Sequence, residues 1–269
     1  MLEIPQPPKK LRILGNKPPD DYFRLCVVGP RKYSEYAEKA CRQIISGLAG
    51  LPISIISGLA FGIDSIAHKT ALENNIHAIV VPGSGLHQNA IYPQTHLHLA
   101  KEIHDSGGCL ISEFADDFRA VSWGFPQRNR IMVGLSDATL IIEAPEKSGT
   151  MITARMTVEC GHDLLVVPGS IFNLNSDGSN HLIKDGAHVI CNSDDLIDFI
   201  GFQPKSKNIE NLNLSTDEKI LLKKLDTPID FDTLLKQKIL EVDQLNTTIS
   251  SLEIKDLIQF VDGNICKKF

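Results

Sequence analysis

Short runs of aliphatic and β-branched residues recur along most of this chain, and they are apolar throughout instead of at every second position. Arg24–Val28 (RLCVV), Ile53–Ile56, His77–Val81, Gly108–Glu113, Ala138–Glu143, Leu164–Val167 and His188–Cys191 all read this way. A strand that faces water on one side alternates; a strand buried on both faces does not. Between the runs lie helical patterns at Ser34–Leu51, Ile63–Asn74, Pro93–Asp105, Arg128–Leu135, Met151–Cys160, Asn180–Asp185 and Asp194–Ile200. Strands that alternate with helices build parallel βαβ units. The predicted fold class is α/β, a doubly wound, mostly parallel sheet with ligands expected beyond the carboxyl ends of its strands.

Composition divides the chain further. A length of 269 residues suits one large domain and one small one. Residues 1–23 form a proline-rich N-terminal arm without the apolar stretch of a signal peptide, and residues 24–202 form the sheet domain. The polar stretch Phe202–Asn213 reads as a linker, with 203–213 as its body. Residues 214–269 read as a small separate unit: helices at Thr216–Leu225, Asp230–Lys236 and Val242–Leu252, then a ribbon that turns at Asp262-Gly263-Asn264. Three helices and a two-stranded ribbon suggest a winged helix.

The turns after the strands carry the chemistry. Gly29 lets the backbone approach a ligand closely, and Arg31 follows it as a cation at the strand end. Ser57-Gly58-Leu59-Ala60-Phe61-Gly62 leads to Asp64 and His68, which form either an acid–base pair or a helix-start carboxylate with a hydrogen-bonded histidine. Phe125-Pro126-Gln127-Arg128-Asn129-Arg130 sets two guanidinium groups two residues apart where a helix is expected to begin, near Arg128. A helix start offers unpaired N–H groups and a partial positive charge, so two arginines there suit phosphate, and Phe125 suits a base. The alternative is that these arginines pair with carboxylates inside the fold. Lys147-Ser148-Gly149-Thr150 precedes a further helix and forms a second anion site, although it lacks the order of an ATP-binding phosphate loop.

Other classes are excluded or disfavoured. Net charge is -6, which argues against indiscriminate coating of nucleic acid but leaves room for a local basic groove. The six cysteines are scattered without a CxxC pair, and the histidines show no metal spacing, so no metal and no cofactor is expected. No apolar run reaches the length of a membrane helix, and a reducing, cytoplasmic setting is expected. The absence of GxGxxG disfavours a dinucleotide site, and no nucleophile is followed by an identifiable base.

Read in order, the segments VVGPRKYSEYA, IISGLAFGIDSIAH, GCLISEF, FPQRNRIMVGLSDATLIIEA, KSGTMITARMTVECG, LLVVPGS and GSNHLIKDGA resemble the DNA-processing protein A family, DprA or Smf. The resemblance runs from about Leu25 to Val189. It implies an extended Rossmann-like fold that binds single-stranded DNA, protects it and loads the RecA recombinase during natural transformation, without enzymatic activity and as a homodimer. It also implies a charged DNA pocket of Arg31, Arg128, Arg130 and Lys147, with backbone contacts from Ser57, Gly58, Ser148 and Gly149 beside Gly29, and with Phe125 near a base. If four cations each met a phosphate, the salt dependence of binding would have a log–log slope of about -3. Three departures stand out: Phe61 replaces an arginine usual in the family, Pro30 replaces a Ser or Thr, and the helical domain that precedes the sheet in many members is absent or reduced to the arm. The C-terminal unit resembles the small winged-helix unit of some members, but Val242–Leu252 has no Lys or Arg, so a protein contact or weak assistance to DNA is expected of it. The competing readings are a nucleotide phosphoribohydrolase of the lysine-decarboxylase-like (LOG) type and a nucleotide-sensing regulator.

Overall fold

The structure is a computed structural model that describes residues 4–202, 214–225, 229–237, 240–255, 257–261 and 263–267. The linker residues 203–213, and Asp262 in the expected C-terminal turn, lie outside the described residues. The chain divides into two compact units, Met1–Gly201 and Phe202–Phe269.

The first unit runs β1 (Arg12–Gly15), β2 (Phe23–Val28), α1 (Glu35–Ser46), β3 (Ile53–Ser57), α2 (Ile63–Glu73), β4 (His77–Val80), α3 (Leu97–Asp105), β5 (Cys109–Ser112), α4 (Gly124–Leu135), β6 (Ala138–Ile141), α5 (Gly149–Glu159), β7 (Asp163–Val166), α6 (Asp177–Lys184), β8 (His188–Val189) and α7 (Ser193–Ile200). The strands lie in the order β1-β5-β4-β3-β2-β6-β7-β8. All neighbours pair in parallel except β1, which runs antiparallel to β5 at one edge.

Burial explains the unbroken apolar runs. On β2, Leu25 and Val27 join a core with Ile44 of α1, Ile66 of α2, Ile103 of α3 and Leu196 of α7. The intervening Cys26 and Val28 face a second core with Ile131 and Met132 of α4, Ala154 of α5 and Leu182 of α6. Alternate residues therefore serve opposite faces, and both faces are covered by helices.

Two expectations are corrected. The arm at residues 1–23 contributes a strand, because Arg12–Gly15 pairs with Cys109–Ser112 along the exposed edge of β5. The helix expected to start near Arg128 starts at Gly124. Pro126 lies in its first turn, where a missing N–H breaks no helical bond, so the proline belongs to the helix start and not to the loop before it. Arg128 and Arg130 therefore sit more than one turn into α4.

The second unit contains α8 (Thr216–Lys224), β9 (Ile229–Asp230), α9 (Phe231–Lys236), α10 (Val242–Ile254), β10 (Ile258–Val261) and β11 (Asn264–Lys267). Its strands form an antiparallel sheet in the order β10-β11-β9 over a core that includes Leu221, Leu234, Leu245, Leu252 and Ile265. Buried Glu218 completes a capping box with Ser215 and accepts bonds from Ser251 at 2.7 Å and Lys255 at 2.6 Å. Among the described residues, no helix is long and apolar enough to cross a membrane, and no cluster of His, Cys, Asp or Glu has metal-binding geometry.

Candidate nucleic-acid interface

From β2 the chain steps outward through β3, β4 and β5, then returns to place β6 on the other side of β2. The loops after β2 and β6 diverge at that reversal and leave a crevice at the carboxyl edge. A cleft of about 320 Å³ lies there, lined by Val28, Gly29, Pro30 and Arg31 after β2, by Ser148, Gly149 and Thr150 at the start of α5, and by Phe125, Arg128, Asn129 and Met132 of α4. Those four α4 residues follow the helical repeat of one face.

The floor of the cleft is charged but internally compensated. Arg128 is buried, donates from Nη1 to the Val81 carbonyl at 2.7 Å and lies 4.0 Å from Asp64, itself buried in the first turn of α2. Burial pushes the Asp64 carboxyl above the usual carboxylate range against the pull of Arg128, and burial lowers the Arg128 guanidinium. The Arg128 Nε makes no hydrogen bond among the described residues. Gly58 makes this arrangement possible, because a Cβ there would overlap the Arg128 guanidinium. The next residue, Leu59, holds a left-handed φ of 61° while fully buried, at a local cost of about 1 kcal/mol.

The rim is different. Arg31 is exposed and lies over the Phe125 ring, 5.1 Å from its centre, and Tyr92 packs against the same ring at 5.7 Å. Phe125 reaches this position across Gly83, where a Cβ would meet its Cδ1 at 2.7 Å. Ser148 caps α5 through a bond from the Met151 N–H at 3.4 Å, and Gly149 faces open space. The N–H groups of Gly149 and Thr150 are first-turn donors without intrahelical partners, the arrangement that attracts anions. Lys147 is exposed just before Ser148 and is not among the residues lining the cleft; neither it nor Arg31 makes an ion pair among the described residues.

Behind the rim, buried Glu143 ties three loops together. Its carboxylate accepts from the Ser34 N–H at 3.0 Å, the Ser34 hydroxyl at 2.7 Å and the Asn173 amide at 3.1 Å. The loops after β2, β6 and β7 thus converge on one residue.

The structure brings together Gly29, Arg31, Phe125, Arg128, Ser148 and Gly149, but it corrects the placement of other predicted residues. Arg130 is buried, bonds to Glu113 and does not line the cleft. The paired-arginine alternative therefore holds for Arg130 and, more loosely, for Arg128. Ser57 is fully buried with its hydroxyl donated to the Val27 carbonyl at 2.7 Å, so it braces two strands instead of facing a ligand. Gly58 lies beneath Arg128, not at the surface. No hydrogen bond joins Asp64 to His68 among the described residues; His68 is fully buried, and burial, against a weaker pull from the Ser57 backbone, drives its pKa down to about 3. The acid–base pair is not formed, whereas Asp64 is the helix-start carboxylate of the second reading, in the first turn of α2. Phe61 is half-exposed, meets His96 edge-on at 4.9 Å and is not among the cleft's lining residues, although its neighbour Ala60 is. Sequence reasoning missed Asn129, Thr150 and Thr153 as lining residues and Glu143 as the junction. Asn129 was legible in principle, since it shares a helix face with Phe125 and Met132.

Comparison with known proteins agrees with this architecture. The family model described as DNA recombination-mediator protein A matches residues 1–201. Protein Smf of Escherichia coli (strain K12) is 42% identical over 180 residues, which is 67% of this chain and 48% of that protein, so the chain spans about half that relative's length. DNA processing protein DprA of Streptococcus pneumoniae (strain ATCC BAA-255 / R6) is 35% identical over 195 residues, covering 72% of this chain and 68% of that one. The X-ray structure of the Streptococcus pneumoniae DprA superposes with a TM-score of 0.67 at 34% identity, covering 73% of this chain and 68% of that one. DNA processing protein A from Helicobacter pylori, described for its single-stranded DNA binding mode, superposes with a TM-score of 0.65 at 30% identity, covering 74% and 89% of the respective chains. The strand order, the cleft at the reversal and these likenesses converge: this chain belongs to the DNA recombination-mediator protein A family, whose members are called DprA or Smf.

Proposed function

We propose that this protein binds single-stranded DNA in the cleft between the β2 and β6 loops, shields it, and loads a RecA recombinase onto it in the cytoplasm during recombination and natural transformation. One observation carries the reading: a phosphate-sized set of donors (Arg31 and the open N-terminus of α5) stands beside an aromatic ring, Phe125, at the sheet's reversal point. Phosphates meet the cations and N–H groups, and a base stacks near Phe125. The single-stranded DNA binding described for the Helicobacter pylori relative supports the same assignment.

With Arg130 engaged by Glu113 and Arg128 facing Asp64, Arg31 and Lys147 are the two of the four predicted cations left for phosphate. The expected salt slope falls from about -3 to about -1.4. The cleft is read as a binding site rather than a catalytic one because its carboxylate, Asp64, is buried against Arg128. A homodimer is proposed on the family likeness alone. For the second unit we infer a winged helix whose α10, lacking Lys and Arg, serves a protein contact.

A gel shift with single- and double-stranded oligonucleotides, followed by addition of RecA, tests the reading. Preference for the single strand and faster RecA filament assembly are expected. Equal affinity for both forms, or release of free base from a nucleotide panel, would replace it.

A further inference from the structure

The loop after β7 presents Ile171, Phe172 and Leu174 to solvent, with Phe172 93% exposed. Isolated exposed apolar residues are ordinary, but three within four positions form a patch that marks an interaction surface. The loop is held in place. The Asn173 amide bonds Glu143, the Phe172 N–H bonds the Ser170 hydroxyl at 3.2 Å, and Asn180 exchanges bonds with both backbone groups of Gly169. The loop backbone is held in this way, so binding would order little beyond the ring's own rotamer. Through Glu143 the loop abuts the segment that carries Arg31 and Lys32, both exposed, and the Tyr36 hydroxyl bonds the Pro168 carbonyl at 2.7 Å.

We propose that Phe172 is a second base-stacking platform on this rim, and that a strand seated in the cleft continues over the Glu143 junction onto the β7–α6 loop. The inference rests on the proposed cleft and extends its footprint. The occupant is nucleic acid because the patch adjoins exposed cations and lies on the same carboxyl edge of the sheet. An exposed aromatic on a loop that abuts a cation-bearing segment suits bases joined by phosphates.

The test compares wild type, Phe172→Ala and Phe172→Trp on oligothymidylates of about 4 and about 12 nucleotides, the span of known single-strand site sizes. Phe172→Ala is expected to weaken binding of the longer oligomer about 5-fold or more, to leave the shorter one unchanged, and to leave the melting temperature unchanged. Phe172→Trp is expected to preserve long-oligomer affinity. Unchanged long-oligomer affinity in Phe172→Ala overturns the platform, as does equal loss on both lengths. A shift in sedimentation without loss of DNA affinity overturns it in favour of a protein contact. If Arg31→Glu abolishes binding while Phe172→Ala does nothing, the cleft stands and only the platform falls. If wild type binds neither oligomer, both fall.

Discussion

The cleft floor and the cleft rim use the same residue types for opposite ends. On the floor, Arg128 is enclosed, bonded to a main-chain carbonyl and answered by Asp64, while Arg130, away from the cleft lining, is held by Glu113. On the rim, Arg31 leans on Phe125 and Lys147 projects into solvent. A buried guanidinium organises its surroundings because losing its partner strands a charge in a poor solvent; an exposed one keeps its charge for something outside. A motif rich in arginine therefore does not identify which arginine meets the ligand. Burial does.

The contrast can be broken most forcefully at Arg128. Arg128→Ala is expected to cost about 3–5 kcal/mol in urea unfolding, since it leaves Asp64 buried without its counter-charge. An effect under about 1 kcal/mol would place Arg128 with the rim. Acid should act next. The folded pKa of His68 is about 3 against an ordinary 6.5, so the unfolded chain binds this proton first. Its contribution is complete above pH 6.5 and is lost as pH falls toward 3, amounting to about 3 kcal/mol by pH 4. Urea midpoints at pH 7 and pH 4 measure it, and His68→Phe should flatten that part of the profile. Gly58→Ala comes third, with a loss of about 1–3 kcal/mol as the new methyl displaces the Arg128 guanidinium, and weaker oligonucleotide binding should accompany it. Smallest are the rim changes. Arg31→Ala and Lys147→Ala should each weaken DNA binding by about 1 kcal/mol, reduce the salt slope by about 0.7, and leave stability within about 0.5 kcal/mol. Rim variants that unfold the protein would erase the distinction.

The sheet was readable because its cause is local. A strand such as Leu25–Val28 must be apolar at every position once Leu25 and Val27 face one core and Cys26 and Val28 the other. Strand β1 was not readable, since its role comes from the open edge of β5, a partner nearly a hundred positions away. The position of the cleft followed from the turns after the strands, and Phe125, Arg31 and Gly149 meet there. The inward turn of Arg130 was invisible because Glu113 lies on a different segment and nothing in its spacing announces the pair. Ser57 misled for the same reason: its acceptor, the Val27 carbonyl, belongs to the neighbouring strand.

Glu143 makes the segments it joins share one fate. A displacement at Ser34 reaches Asn173 through one carboxylate without passing through the sheet, so the loops after β2 and β7 are mechanically coupled. The knot works as a tension bar: one carboxylate shares a load between Ser34 and Asn173, and slack at either would be felt at the other.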